Sequence, residues 1–105
     1  MGVFHYVSPT GQDPFQVWLD GLRDLRCRVA VLRRIDRLAE GNPGDHKYCR
    51  EGVWELRVDC GPGYRVYFAR HAPDSVLLLG GGAKRTQAAD IVAAVARWEQ
   101  YTEQQ

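Results

Sequence analysis

The segment that decides the fold of this chain spans residues 53–68 and reads VWELRVDCGPGYRVYF. Large apolar residues alternate with polar ones on both sides of the Gly-Pro-Gly sequence at 61–63. Alternation with a period of two is typical of β-strands, and glycine with proline favours a tight turn. The segment therefore predicts a hairpin whose apolar face consists of Trp54, Leu56, Val58, Tyr64, Val66 and Phe68.

The opposite face of this predicted hairpin is polar and carries Glu55, Arg57, Arg65 and Tyr67. If both apolar faces meet one core, the strand register must place Arg57 beside Arg65 or Tyr67. Two arginines side by side on a sheet repel each other and lower its stability. A cluster that costs stability and concentrates positive charge predicts an anion site, with phosphate as the leading candidate.

The residues before the hairpin predict one strand and two amphipathic helices. Residues 3–7 read as a short first strand. Asp13 and Pro14 suit the N-cap and the first position of a helix, whose apolar face includes Phe15. A second helix is predicted from about Asp24 to Ala39, and its expected buried side consists of Leu25, Val29, Leu32, Ile35 and Ala39.

The residues after the hairpin, which extends to Arg70, predict one more strand and a last helix. Ser75–Leu79 is apolar on both faces, as in a covered central strand, and Gly80–Ala83 would let the chain leave the sheet. Thr86 is a plausible N-cap for the last helix. The resulting order is β-α-α-β-β-β-α, which predicts one domain of the α+β class over residues 1–105. The expected buried side of the last helix consists of Ile91, Val95, Trp98 and Tyr101.

Composition limits the kinds of protein to consider. The 105 residues carry a net charge of only +1, and 45% are hydrophobic, as is usual for a globular protein. No apolar run is long enough to span a membrane, and no signal peptide is visible at the first residues. The three cysteines, Cys27, Cys49 and Cys60, include no CxxC pair, which argues against a disulfide framework. We expect a cytoplasmic protein that needs no metal or other cofactor.

Motifs for nucleotide hydrolysis (GxxxxGK[ST]) and for serine hydrolases (GxSxG) are absent from the sequence. Titratable side chains instead surround the hairpin. Carboxylate, imidazole and cationic side chains in one place suit the cleavage of RNA by its own 2′-hydroxyl. This reaction needs a base, an acid and cations around the pentavalent phosphorus. Glu55 or His46 could be the base; alternatively, Glu55 and Arg57 merely pair with strand neighbours. The candidate catalytic residues are Arg65, Lys84, Glu55 and His46.

A run of arginines on the second predicted helix allows two interpretations. Such a run is usually a solvated helix face. The alternative is a strip that neutralises RNA phosphates without reading the base sequence. The candidate RNA-binding residues are therefore Arg26, Arg33 and Arg37 on the helix, with Lys47, Arg57 and Arg85 near the hairpin.

Several segments, taken in order, resemble the HigB-type branch of the RelE/ParE toxin superfamily, whose members are often called addiction-module killer proteins. The likeness rests on GDHK at 44–47, EGVWELR at 51–57, GPGYRVYF at 61–68, VLLL at 76–79, Lys84, TQ at 86–87 and DI at 90–91. The resemblance implies a RelE-like fold, in which two N-terminal helices pack on a small twisted antiparallel sheet and a helix ends the chain. It also implies a type II toxin that cuts mRNA on the ribosome. A helix-turn-helix antitoxin would neutralise it in a hetero-oligomer that binds operator DNA through the antitoxin.

The resemblance also implies roles for individual residues. Arg65 matches the sheet arginine that contacts the scissile phosphate, and Lys84 and Arg85 match basic residues before the last helix. Glu55 stands where RelE members have a lysine, which implies a different base. The chain departs from the family pattern at Ala83, at Arg85 and at Ile91, so the general acid and base are left unassigned.

Two other functions remain open at this point. The protein could be a ParE-like inhibitor that binds DNA gyrase and cleaves nothing, because one fold supports both activities. It could also be a degenerate member that only binds its antitoxin.

Overall fold

In a computed structural model, which describes residues 1–104, five strands form one mixed sheet and three helices cover it. The sheet order is β1-β5-β4-β3-β2. The elements along the chain are β1 (Gly2–His5), α1 (Pro14–Asp20), α2 (Leu25–Ala39), β2 (His46–Arg50), β3 (Val53–Val58), β4 (Tyr64–Ala72), β5 (Ser75–Ala83), a 3-10 turn (Lys84–Thr86) and α3 (Gln87–Glu103).

The predicted fold class was wrong in its element order and in its sheet. β1 runs parallel to β5, so the sheet is mixed, not antiparallel. An additional strand, β2, pairs antiparallel with β3, so the order is β-α-α-β-β-β-β-α. The predicted last helix is present as α3, which follows the strands and covers the second sheet face.

The turn between β2 and β3 explains why β2 was missed. Both turn residues have positive φ, 50° at Glu51 and 88° at Gly52. This conformation is typical of a two-residue hairpin turn, for which asparagine or aspartate before glycine is the usual signal. Glutamate rarely adopts positive φ, so the Glu-Gly sequence gave little indication of a hairpin.

The register of the central hairpin is confirmed. Trp54 pairs with Phe68 and Val58 with Tyr64, which places Arg57 directly opposite Arg65. The prediction that the chain leaves the sheet at Gly80 was wrong, because β5 continues to Ala83.

The two sheet faces contain separate cores. On the α1/α2 face, the helices pack on the apolar side of the hairpin around Phe15, Val31, Leu56 and Phe68. On the α3 face, α3 packs on residues such as Val53, Tyr67, Leu77 and Leu79. Partly buried Ile91, Trp98 and Tyr101 contact this second core, in agreement with the predicted inner side of the last helix.

The predicted buried side of α2 was largely wrong. Cys27, Val31 and Leu38 are buried, whereas Leu25, Val29 and Leu32 are exposed. Both sets recur at helical spacing, so periodicity alone did not distinguish them. α2 packs against the sheet through the side that carries Cys27, and the residues on that side are therefore the buried ones.

Contrary to the expectation from cysteine number, Cys27 and Cys60 form a disulfide bond. Their Cα atoms are 5.6 Å apart, within the usual range for such a bond. The bond joins α2 to the turn between β3 and β4, and Cys49 is the free thiol. The pair was not visible in the sequence because 33 positions separate its members. Across residues 1–104, no helix is both long and apolar enough to cross a membrane.

Candidate functional site

A buried carboxylate lies at the centre of the polar side of the hairpin. Glu55 is 1% exposed, and α3 covers it. Its Oε2 atom accepts hydrogen bonds from Arg57 Nε at 2.9 Å and from Arg65 Nε at 2.8 Å. Its Oε1 atom accepts from Gln87 Nε2 at 2.8 Å and from the Cys49 thiol at 3.4 Å. Four donors from four elements therefore satisfy this carboxylate.

The shared carboxylate explains how two arginines tolerate adjacent positions on the sheet. Arg57 and Arg65 are direct cross-strand neighbours, and their repulsion alone would be destabilising. Glu55 binds the Nε atom of each, which offsets that repulsion and fixes both guanidinium groups. The Nη donors of both arginines are not used by this contact.

The environment of Glu55 determines which role it can play. Burial by itself would raise its pKa, but hydrogen bonds from Arg65, Arg57, Gln87 and the thiol outweigh burial and lower the pKa to about 2. A carboxylate with so low a pKa is a weak base near neutral pH. This geometry favours a positioning role, in which Glu55 orients Arg57 and Arg65.

The arginine pair opens onto a cavity of about 230 Å³ at the end of the hairpin. Lys84 lies in the wall of this cavity, held there because its backbone N–H donates to Gly63 O at 2.9 Å. Gly63 has a φ of 87°, which the Gly-Pro-Gly turn requires. The cavity is lined by Asp45, Arg57, Val58, Asp59, Gly63, Tyr64, Arg65 and Lys84.

A second cavity, of about 380 Å³, adjoins the first and is bounded by α2. Arg33 and Arg37 line it, and Arg57 and Asp45 line both cavities. We call the two together the cationic groove. Within it, Arg34 donates to the backbone carbonyls of Arg57 at 3.0 Å and Asp45 at 2.8 Å, which fixes α2 against the sheet.

The predicted site residues are thus only partly brought together. Arg65, Lys84, Glu55 and Arg57 meet at the first cavity, and Arg33 and Arg37 continue from it. His46 does not join them: it pairs with Leu56, so its side chain lies on the α1/α2 face. Its ring packs on Trp54 at 5.5 Å between centroids, and its Nδ1 atom is 2.7 Å from Gly44 O.

The remaining predicted cations lie at the periphery. Lys47 pairs with Glu55 across the strands but is exposed on the edge strand β2. Arg85 is exposed in the 3-10 turn. Arg26 is 88% exposed at the start of α2, where its nearest carboxylate is Asp24 at 3.7 Å.

Two residues that hold Glu55 were not predicted as site residues. Gln87 supplies its side-chain amide from the first turn of α3, and Cys49 supplies its thiol from β2. Burial and the neighbouring carboxylate raise the pKa of Cys49 to about 11, so the thiol stays protonated. Neither contact has a signal in the sequence, since each depends on how α3 and β2 dock. Over residues 1–104, no three His, Cys, Asp or Glu side chains gather as a metal site would require.

Comparison with known proteins identifies the family. Residues 17–99 match the family described as "Phage derived protein Gp49-like (DUF891)". An uncharacterized protein of Haemophilus influenzae is 46% identical to this chain over 80 residues, which cover 76% of this chain and 81% of the relative. Residues 17–99, which match the family, include α2, the whole hairpin and Lys84. The chain therefore belongs to the Gp49-like phage-derived family, a RelE-like family related to toxin–antitoxin systems.

Proposed function

We propose that this protein is the toxin of a type II toxin–antitoxin system, of the HigB-type branch, and that it cleaves mRNA on the ribosome without a metal ion. The family relationship supports a toxin–antitoxin context. The observation that carries the nuclease proposal is the arginine pair held on Glu55 beside Lys84.

The charges around the first cavity suit a phosphodiester. Arg57, Arg65 and Lys84 contribute three cations to the cavity. Glu55 binds both arginines, and the carboxylates of Asp45 and Asp59 also line the cavity, so the charges are balanced in number and the proposal rests on where the cations are held.

Because Glu55 engages only the Nε atom of Arg65, the Nη groups of Arg65 can bind phosphate oxygens bidentately, a geometry that arginine provides and lysine does not. Arg57 Nη1 lies 3.7 Å from Asp45 Oδ1, so a phosphate would compete with this exposed ion pair. Fixed cations cost no reorganisation when negative charge develops in the transition state.

In the proposed reaction, the ribose 2′-oxygen attacks phosphorus and the bond from phosphorus to the 5′-oxygen breaks. Arg65 and Arg57 stabilise the additional negative charge on the pentavalent phosphorus. Lys84 gives a proton to the leaving 5′-oxygen, and the proton of the 2′-hydroxyl passes to water. The products are a 2′,3′-cyclic phosphate and a free 5′-hydroxyl, so no metal-bound water is needed.

The second cavity would hold the RNA backbone next to the scissile phosphate. Arg33 and Arg37 line it and face the same groove as Arg57. Arginines that contact only phosphates give affinity without sequence preference and make binding sensitive to salt.

The proposed partner is a helix-turn-helix antitoxin that binds the toxin in the cytoplasm and contacts operator DNA. The outer side of α2 supports this part of the proposal, since Leu25, Val29 and Leu32 are 68%, 39% and 47% exposed there. An apolar side beside arginines is suited to a partner with apolar and acidic residues.

Transcript mapping after induction tests the nuclease. We expect new 5′-hydroxyl ends within translated messages in cells that express the protein alone, and loss of these ends when ribosomes are inactivated. Arg65→Lys keeps the charge but loses the planar fork, and should reduce cleavage by at least about tenfold. Arg26→Ala removes a peripheral arginine and serves as the matched control.

Growth arrest with intact transcripts would refute the nuclease. Accumulation of gyrase-cleaved DNA during that arrest would identify the ParE-like inhibitor instead.

A further inference from the structure

Three aromatic side chains form a cluster at the β2 edge of the sheet, beside the cationic groove. His46 and Tyr48 lie on β2, and Trp54 lies opposite Tyr48 on β3. The centroid of the Trp54 ring is 5.5 Å from that of His46 and 5.1 Å from that of Tyr48. We call these three side chains the aromatic ledge. They lie on the α1/α2 face, where Trp54 packs, partly buried, against the core.

Tyr48 is the most exposed member of the aromatic ledge. It lies on the edge strand of the sheet and is 48% exposed. Its ring meets that of Trp54 at 72°, and a contact this steep covers at most one face of the tyrosine. Its hydroxyl accepts a hydrogen bond from the Gly52 N–H at 3.0 Å, which fixes the ring. Tyr48 therefore offers solvent a preorganised aromatic face, which lowers the entropy cost of binding.

The aromatic ledge begins at the wall of the cationic groove. Gly44 and Asp45 line the second cavity of the groove, and His46 follows them directly in the chain. The Nδ1 atom of His46 is 2.7 Å from Gly44 O, which keeps the imidazole at this wall. Tyr48 lies two residues farther along the strand, about 7 Å away. This distance corresponds to about two nucleotide steps of roughly 3.4 Å in a stacked strand.

The surroundings of the aromatic ledge carry a net positive charge. Exposed Arg33 and Arg37 line the second cavity, and Arg50 is exposed at the far end of β2. The exposed carboxylates next to the ends of β2 are those of Asp45 and Glu51. Proteins bind single-stranded nucleic acid with this combination, in which cations contact the phosphates and aromatic rings stack with the bases.

We propose that the aromatic ledge binds unpaired bases of single-stranded RNA whose phosphates lie along Arg33 and Arg37. A base stacks on the open face of Tyr48, while Trp54 and His46 support that ring from the sheet. Since every base has an aromatic face, such stacking adds affinity without sequence preference. A base in a duplex is already stacked and cannot use the ledge. RNA as the ligand comes from the proposed function, on which this assignment rests.

Fluorescence anisotropy with a labelled RNA hexamer tests the stacking on the full chain. The hexamer carries 2′-O-methyl groups, so that the proposed cleavage cannot occur during the titration. A second hexamer is abasic at every position and keeps the same phosphates. We expect the hexamer with bases to bind at least about tenfold more tightly than the abasic one, and its duplex form to lose this advantage. Equal affinity for the abasic hexamer and the hexamer with bases would overturn the proposal.

Two variants of Tyr48 and a matched control assign the effect to the aromatic ledge. Tyr48→Ala should weaken the hexamer with bases at least about fivefold and leave the abasic hexamer unchanged. Tyr48→Phe keeps the ring and should stay within about twofold of the wild type. Phe4→Ala removes a 53% exposed ring from the other edge strand, β1, and should change neither affinity. Circular dichroism checks that each variant is folded, as expected for exposed positions.

Three results of the variant titrations would overturn the proposal. The first is that Tyr48→Ala leaves the hexamer with bases unchanged. The second is that it weakens both hexamers equally, since the residue would then act on the fold or on phosphate binding. The third is that Tyr48→Ala weakens binding of the antitoxin and not of RNA, which would assign the aromatic ledge to a protein partner.

Cleavage in cells and stacking on Tyr48 can fail separately. A protein that cuts no transcript, but whose affinity for the hexamer with bases depends on Tyr48, would refute the proposed nuclease and support the aromatic ledge. A protein that cuts transcripts, but whose RNA affinity does not depend on Tyr48, would refute only the ledge.

Discussion

The two faces of the sheet differ in what they bury. The α1/α2 face is an apolar core in which residues such as Phe15, Leu56 and Phe68 are buried. The α3 face also buries Glu55 and Tyr67, each only 1% exposed. Of these two polar groups, Glu55 has four donors, whereas the Tyr67 hydroxyl has none among residues 1–104. The comparison indicates that the α1/α2 face contributes mainly apolar burial, whereas the α3 face also buries the carboxylate that positions the two arginines of the proposed site.

Truncation in the α1/α2 core should have the largest effect on stability. Phe68→Ala removes a ring that is 1% exposed and should lower the free energy of unfolding by about 4 kcal/mol. Urea unfolding followed by circular dichroism measures this loss. A loss below about 1 kcal/mol would contradict a large contribution of this apolar burial to stability.

Removal of the disulfide bond should have the second largest effect on stability. Cys27→Ser opens a link between positions 33 residues apart and should cost about 3 kcal/mol, mainly because the unfolded chain gains entropy. Thermal melts with and without a reductant provide the measurement. Reductant should lower the melting temperature of the wild type and leave that of Cys27→Ser unchanged, and an identical response of both would contradict the bond.

Acid should selectively weaken the α3 face through Glu55. The pKa of Glu55 is lowered from 4.5 to about 2 in the folded protein. The contribution of Glu55 to the free energy of unfolding is therefore fully present above pH 4.5 and is lost as the pH falls through about 2, an effect of about 3 kcal/mol. The difference in unfolding free energy between wild type and Glu55→Gln should shrink over this window. A difference that does not change with pH would contradict the ion-pair geometry.

The smallest effect on the free energy of unfolding is expected for Tyr67→Phe. Because its hydroxyl is buried without a partner, Tyr67→Phe should raise the free energy of unfolding of the ligand-free protein by up to about 1 kcal/mol. The same urea titration checks it, with Tyr101→Phe as a control at a partly buried tyrosine that packs against the same core. A loss of more than about 1 kcal/mol would show that the hydroxyl has a partner in the ligand-free protein.

Strand alternation and helix capping, which involve residues close together in the sequence, correctly predicted the local features of the fold. Period-two alternation predicted the hairpin and limited the neighbour of Arg57 to Arg65 or Tyr67, of which the structure shows Arg65. Capping chemistry predicted the start of α1, where the Asp13 carboxylate accepts a hydrogen bond from Gln16 N–H. Thr86, the predicted N-cap of the last helix, does precede α3, but its side chain makes no capping hydrogen bond. These features involve residues close in sequence or in direct register, where geometry leaves few alternatives.

Long-range contacts were not predictable in the same way. The parallel pairing of β1 with β5 and the bond between Cys27 and Cys60 join segments far apart in the chain. The side of α2 that faces the sheet was ambiguous because two apolar stripes share the helical period. His46 was expected beside Arg65, but the pairing of β2 with β3 directs it to the other face.

By itself, the sequence limited the cross-strand neighbour of Arg57 to Arg65 or Tyr67, because side-chain alternation and a common core allow few registers. Only the tertiary structure placed Arg65 opposite Arg57 and supplied the group that holds the two arginines. Docking of α3 buries Glu55 between the arginines and also covers Tyr67, whose hydroxyl has no hydrogen-bond partner among residues 1–104. The physical reason is that burial and hydrogen-bond satisfaction depend on how distant elements pack, which no local pattern specifies.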